Sequence, residues 1–152
     1  MIKKILIANR GEIATRITRT CKSMGIFVVA VYSDADKNAL HAREADQSIH
    51  LGDSLAENSY LNYKKIIKIA LENKVDAIHP GYGFLSENPD FAKALKKNNI
   101  KFIGPSVSSM KSMSLKNDAR SMMEKAGVPV LPGFSADGLS ENQILKKCEN
   151  IG

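Results

Sequence analysis

An open α/β sheet, with parallel strands and flanking helices, is the architecture this sequence predicts, and three observations carry that reading. Short, unbroken apolar runs recur along the first two thirds of the chain. Most are followed by a stretch whose apolar residues repeat at helical spacing. The first strand, helix and strand are complete within about 30 residues, forming a βαβ unit whose crossover is expected to be right-handed.

Each element has its own cause. Ile5-Leu6-Ile7-Ala8 is a continuous apolar strand of the kind buried on both faces of a parallel sheet. Asn9-Arg10-Gly11 turns the chain into a helix over Glu12 to Met24, where Ile13, Ile17, Cys21 and Met24 make one buried stripe ended by Gly25. Phe27 to Tyr32 is the next buried strand, and Ser33 to Lys37 a polar turn. A short helix over Leu40 to Ala45 and a short strand over Ser48 to Leu51 follow. A helix lies within Tyr60 to Asn73, capped by Asn62, with Ile66, Ile67, Ala70 and Leu71 apolar. Val75 to Ile78 is a strand, and Pro89 to Lys97 a helix with Asn88 as cap and proline at its first position. Lys101-Phe102-Ile103 is a strand closed by Gly104-Pro105-Ser106, which starts a helical stretch to about Lys111. After Ser112 the character changes. Leu115 to Lys125 is a methionine-bearing helix, Val128 to Gly133 runs extended between prolines, and Ser140 caps a last helix. The expected organisation is a sheet domain over 1–112 and a helical linker over 113–152. The last helix has no strand after it, which suggests a cut at a domain boundary.

Composition narrows the function. Hydrophobic residues make up 43% and charged residues 25% of the 152, which is globular. The net charge of +6 comes from lysines spread along helices, with five arginines and no tryptophan. A nucleic-acid binder would gather that charge on one face with aromatics between. No run approaches the ~18 apolar residues of a membrane span, and the apolar run that follows Met1-Ile2-Lys3-Lys4 is too short for the core of a signal peptide. A cytoplasmic or mitochondrial-matrix location is expected. Cys21 and Cys148 read as core or incidental thiols, and the three histidines have no metal-like spacing.

The chemistry concentrates in His79 to Asn88, a strand-to-helix loop of the sort where open parallel sheets place ligands. Gly81-Tyr82-Gly83 offers backbone amides to an anion and a ring to a planar ligand, or is simply a tight turn. Glu87 orients a ligand or pairs with a lysine. Asn9-Arg10-Gly11-Glu12 has one glycine where a dinucleotide fingerprint needs three. It is a tight turn with a charged pair, or a buried polar contact at a ligand's edge. Arg16, Arg19 and Lys22 share a helix face that is either solvated or a subunit contact. Lys116 is a surface lysine or a mobile charge for a phosphate.

Four segments resemble the biotin carboxylases in the same order. They are Lys3 to Ala14, His79 to Asn88, Phe102 to Ser106, and Lys125 to Pro129. The resemblance spans essentially the whole chain and looks most like the subunits serving methylcrotonyl-, propionyl- or acetyl-CoA carboxylases, and pyruvate carboxylases share these motifs. It implies a Rossmann-like N-terminal domain that binds no dinucleotide, ahead of an ATP-grasp fold. The implied activity is that of an ATP-dependent ligase. ATP, Mg2+ and bicarbonate give carboxyphosphate, from which biotin is carboxylated. Partners would be the remaining ATP-grasp domains, a biotin carboxyl carrier domain, a carboxyltransferase and a second copy in a homodimer. By the same resemblance Tyr82, Gly83 and Glu87 line the biotin and carboxyphosphate pocket. Lys116 contacts ATP, and Arg16 and Arg19 lie at the dimer interface. The family's magnesium carboxylates and catalytic arginine have no counterpart in these residues, so the chain alone is expected to be inactive. Ser114-Leu115 departs from the family pattern before Lys116, with Ser114 expected to cap the helix. Two rival readings are a standalone module for a phosphorylated metabolite and a purely structural dimerisation domain.

Overall fold

The structure, a computed structural model, describes residues 1–151, with Lys116 described by its backbone alone. The chain divides into two compact units, Met1–Met110 and Lys111–Gly152.

The first unit is built on β1 (Lys4–Ile7), β2 (Phe27–Ser33), β3 (Gln47–Gly52), β4 (Ala77–His79) and β5 (Lys101–Phe102). Every pairing is parallel, in the order β3-β2-β1-β4-β5. The helices are α1 (Gly11–Ser23), α2 (Leu40–Glu44), α3 (Tyr63–Glu72), α4 (Pro89–Lys97) and α5 (Val107–Met113). Successive residues of β1 face opposite sides. Leu6 and Ala8 pack with Val29, Val31, Ile66, Phe91 and Leu95 on one face, and Ile5 and Ile7 with Ala14, Ile17 and Cys21 on the other. Apolar cover on both faces is why these runs do not alternate with polar residues.

Local signals place the helices accurately. Asn62 accepts the Lys65 amide at 3.1 Å and Asn88 that of Phe91 at 2.9 Å, capping α3 and α4. The expected stripe of α1 stops one residue early. Met24 is 67% exposed because Gly25, at φ +71, turns the chain back and lets Ile26 donate to Cys21 O. Leu71 is likewise exposed at the end of α3, and Tyr60 is buried ahead of it. The polar turn after β2 is a single 3-10 turn over Asp34–Asp36, and its Asp36 is buried.

The second unit contains the last residues of α5, α6 (Lys116–Lys125) and α7 (Glu141–Glu149). Ser140 and Gln143 form a reciprocal capping box on α7. Ser114 does not cap α6. Its hydroxyl donates back to Lys111 O at 2.8 Å, and Leu115 takes the cap position with no side-chain bond.

Candidate functional site

Strand order dictates where a crevice opens. The chain runs outward from β1 through β2 to β3, then returns to the other side of β1 for β4 and β5. The loops leaving β1 and β4 therefore diverge at a switch point, where open sheets bind ligands. One buried side chain ties the two loops together. Asn9, 1% exposed, donates from Nδ2 to Pro80 O at 2.7 Å and to Tyr82 O at 2.9 Å, while its Oδ1 accepts the Arg10 amide at 2.9 Å. Three of the four hydrogen-bonding positions of that amide are used inside the protein, so Asn9 makes a buried polar contact between the two loops. Arg10 and Glu12 do not pair with each other. Arg10 bonds to Asp36, and Glu12 accepts the Tyr82 hydroxyl at 2.7 Å.

The glycine loop has two dissimilar glycines. Gly81 sits at φ +69, and a Cβ there would stand 2.6 Å from Asn9 Nδ2 and 2.7 Å from Ile13 Cγ2. Gly83, at φ +68, faces open space. Between them Tyr82 is 64% exposed with its phenol held by Glu12, and that bond keeps the phenol protonated to higher pH. The Gly81 amide donates to His79 Nδ1 at 3.0 Å, so Gly81 is not an anion donor. The hydrogen bonds among the described residues leave the amides of Tyr82 and Gly83 unused. Glu87 is exposed on the same loop and joins no ion pair among the described residues. A hollow of about 450 Å³ beside the loop is lined by Glu12, Ile13, Arg16, Ile17, His79, Gly81 and Tyr82. Burial, then the Arg16 charge, pushes His79 below its ordinary value, so the imidazole there is neutral at pH 7. A second hollow, about 700 Å³, lies away from the switch point along β5 and Gly104–Ser108.

Behind the loop stands a network that sequence reasoning missed. Asp36 accepts Arg10 Nη2 at 2.8 Å on one oxygen, and the Tyr60 hydroxyl at 2.8 Å and Ser33 hydroxyl at 3.0 Å on the other. The Tyr60 ring stacks on Phe84, with centroids 5.2 Å apart and planes 9° from parallel. Phe84 has φ +39, rare for a side chain of that size. No signal in the sequence marks Asp36, because its partners come from three separate segments.

Residues 1–110 match the family model described as biotin carboxylase, N-terminal domain. The chain belongs to that family. It is 51% identical over 142 residues to biotin carboxylase 1 of Bacillus subtilis (strain 168), covering 93% of this chain and 31% of that protein. It is 50% identical over 151 residues to the mitochondrial methylcrotonoyl-CoA carboxylase subunit alpha of Dictyostelium discoideum, covering 99% of this chain and 22% of that one. A crystal structure of a biotin carboxylase–βγ-ATP complex from Campylobacter jejuni superposes with a TM-score of 0.91 at 51% identity, over 100% of this chain and 34% of its own. The chain thus spans about a third or less of the length of these relatives.

The remaining expected residues of this biotin carboxylase N-terminal domain fall in different places. Arg16 and Arg19 are exposed on α1 and, with Gly11, Thr15 and Leu40, line a shallow hollow of about 570 Å³. Arg19 pairs with Glu44 at 3.1 Å and Lys22 with Asp46 at 3.0 Å, so this face is partly occupied by the end of α2 and the turn after it. Lys116 begins α6, and its side chain lies outside the described residues. Among the described residues no group of three or more His, Cys, Asp or Glu stands close enough to hold a metal ion. Nor, among the described residues, is any helix long and apolar enough to cross a membrane.

Proposed function

We propose that this chain supplies the N-terminal domain of an ATP-dependent biotin carboxylase, in which the Gly81–Asn88 loop forms one wall of the biotin and carboxyphosphate pocket. The observation that carries it is a glycine at φ +68 with open space before it, next to an exposed tyrosine, at the sheet's switch point. Gly83 lets a ligand approach the main chain closely. The Tyr82 ring, fixed at its phenol by Glu12, presents a flat face to a planar ureido ring. Glu87, exposed on the same loop, orients the ligand from the helix side. Lys116 would offer a point charge to the nucleotide phosphates, and Mg-ATP would supply the phosphoryl group that activates bicarbonate. The described residues do not fit a magnesium site. Arg16 and Arg19 serve the homodimer face. The carrier domain, the carboxyltransferase and the rest of the ATP-grasp fold complete the enzyme in the cytoplasm or the mitochondrial matrix.

The test has two arms. The chain alone, titrated calorimetrically with Mg-ATP, bicarbonate and biotin, is expected to give no binding and no ATP turnover. Micromolar binding (about −8 kcal/mol) would favour a self-sufficient module. The chain substituted for the matching third of the Bacillus subtilis relative is expected to restore ATP-dependent carboxylation of biotin. A stable, folded but inactive chimera would overturn the proposal.

A further inference from the structure

The geometry points to Asp36 as a positioning residue that sets the glycine loop from both sides at once. The loop has two anchors. Asn9 grips it at Pro80 and Tyr82, and Tyr60 grips it through the ring of Phe84. These anchors come from different segments, the turn after β1 and the approach to α3, and share no direct bond. Asp36 joins them. One oxygen holds Arg10, whose main-chain amide fixes the Asn9 side chain. The other holds the Tyr60 hydroxyl. The Tyr60 oxygen in turn accepts the Ser33 amide at 3.1 Å, which ties the network to the end of β2.

The chemistry suits a fixed clamp. Asp36 is 6% exposed, and a carboxylate buried that far persists only when its oxygens are bonded. Burial alone would push the carboxyl up, and the bonds from Arg10, Tyr60 and Ser33 more than offset it, leaving it below the usual carboxylate range. Burial above all, together with the Asp36 charge, pushes the Tyr60 phenol up to about 12, so it stays a donor throughout the physiological range. A carboxylate accepts from Arg10 on one oxygen and from the Tyr60 and Ser33 hydroxyls on the other, with its charge facing the guanidinium. An amide of the same shape loses the charge that pairs with Arg10, and it either turns its N–H on Arg10 or forces the Tyr60 and Ser33 hydroxyls to rotate and accept from it. The position of Tyr82 and the unusual backbone of Phe84 therefore depend on a residue that reaches neither. The inference rests on the proposed pocket only for what the loop binds, and its test needs no ligand, so either can fail alone.

The experiment is residue-resolved amide and side-chain hydrogen exchange by NMR on the chain and on Asp36→Asn. Reporters are the Asn9 side-chain amide and the Ser86 amide, which donates to Gly83 O at 2.9 Å, together with the ring signals of Phe84. Controls are the amides of Val28 and Lys101, bonded to Asp46 and Asp76. Asp36→Asn is expected to speed exchange at Asn9 and Ser86 about tenfold and to move the Phe84 ring signals, while the controls stay within about twofold. Unchanged reporters, or reporters and controls accelerating together, would overturn the assignment. Should Asp36→Asn not fold, the milder pair decides. Arg10→Met is expected to loosen the Asn9 side chain and leave the Phe84 ring in place. Tyr60→Leu is expected to do the reverse. Arg10→Met leaving Asn9 as well protected as before would refute the clamp.

Discussion

Replacing each of the two loop glycines by alanine turns the Asn9 clasp into a quantitative question. Both positions are left-handed, at φ +69 and +68, so each alanine carries the same backbone penalty, about 1–2 kcal/mol. Their surroundings differ. At Gly81 the new methyl would lie 2.6 Å from Asn9 Nδ2 and 2.7 Å from Ile13 Cγ2. Neither atom can retreat freely, since Asn9 holds two carbonyls and Ile13, on α1, packs against the core cluster of Ile5, Ile7, Ala14 and Ile17. Forcing a methyl into such a space costs about 1–3 kcal/mol more. At Gly83 the methyl meets nothing within 4 Å. Gly81→Ala should therefore cost about 2–5 kcal/mol and Gly83→Ala about 1–2. With a urea slope of about 2 kcal/mol/M, the two midpoints should stand about 0.5–1.5 M apart. Tyrosine fluorescence is a suitable probe. The chain has no tryptophan, and its four tyrosines (32, 60, 63 and 82) all lie in the first unit. Equal midpoints for the two variants would mean that Asn9 does not sit against Gly81, and the joined-loop description of the site would be wrong.

The other predictions are briefer. Asn9→Ala removes two bonds to carbonyls and leaves Pro80 O buried without a donor, so it should cost about 2–4 kcal/mol in the same urea assay; a loss within error would show that the loops hold without it. Acid should weaken the fold through His41, which is fully buried between the Gly11 amide and Val31 O and held below its ordinary 6.5 chiefly by burial. The unfolded chain then takes up the proton first, so stability falls as pH drops below about 6.5 and keeps falling until the folded imidazole also titrates. His79 adds a contribution of the same sign, and thermal melts of His41→Gln should lose less between about pH 7 and 5 than the parent; an identical pH slope would refute the assignment. Arg16→Glu with Arg19→Glu, placed in the completed chimera, should convert a sedimenting dimer to a monomer, and an unaltered dimer would remove α1 from the proposed interface.

What could be read in advance was local. Asn88 and Pro89 announce α4 because a cap and a fixed φ act within one turn, and the structure starts the helix at that proline. Tyr82 and Gly83 stand out because a ring between glycines has no use in a core strand. Strand ends were less legible. β4 covers only Ala77–His79, since its limits are set by pairing with β1 rather than by its own residues. Met24 continues the helical spacing of α1 but leaves the core because the chain reverses at Gly25. One at a time, Asp36 reads as part of a polar turn and Tyr60 as the start of a helical segment. Their roles exist only across Arg10, Ser33 and Phe84, and no periodicity records such a meeting.

The central claim is that the tyrosine between the two glycines meets biotin. Steady-state kinetics of Tyr82→Ala in the active chimera test it most directly, with biotin and ATP varied separately. The expected result is a KM for biotin raised about tenfold or more, the loss of roughly 1.4 kcal/mol of ring contact, with the KM for ATP unchanged. Equal KM values for biotin in the variant and its parent would contradict it.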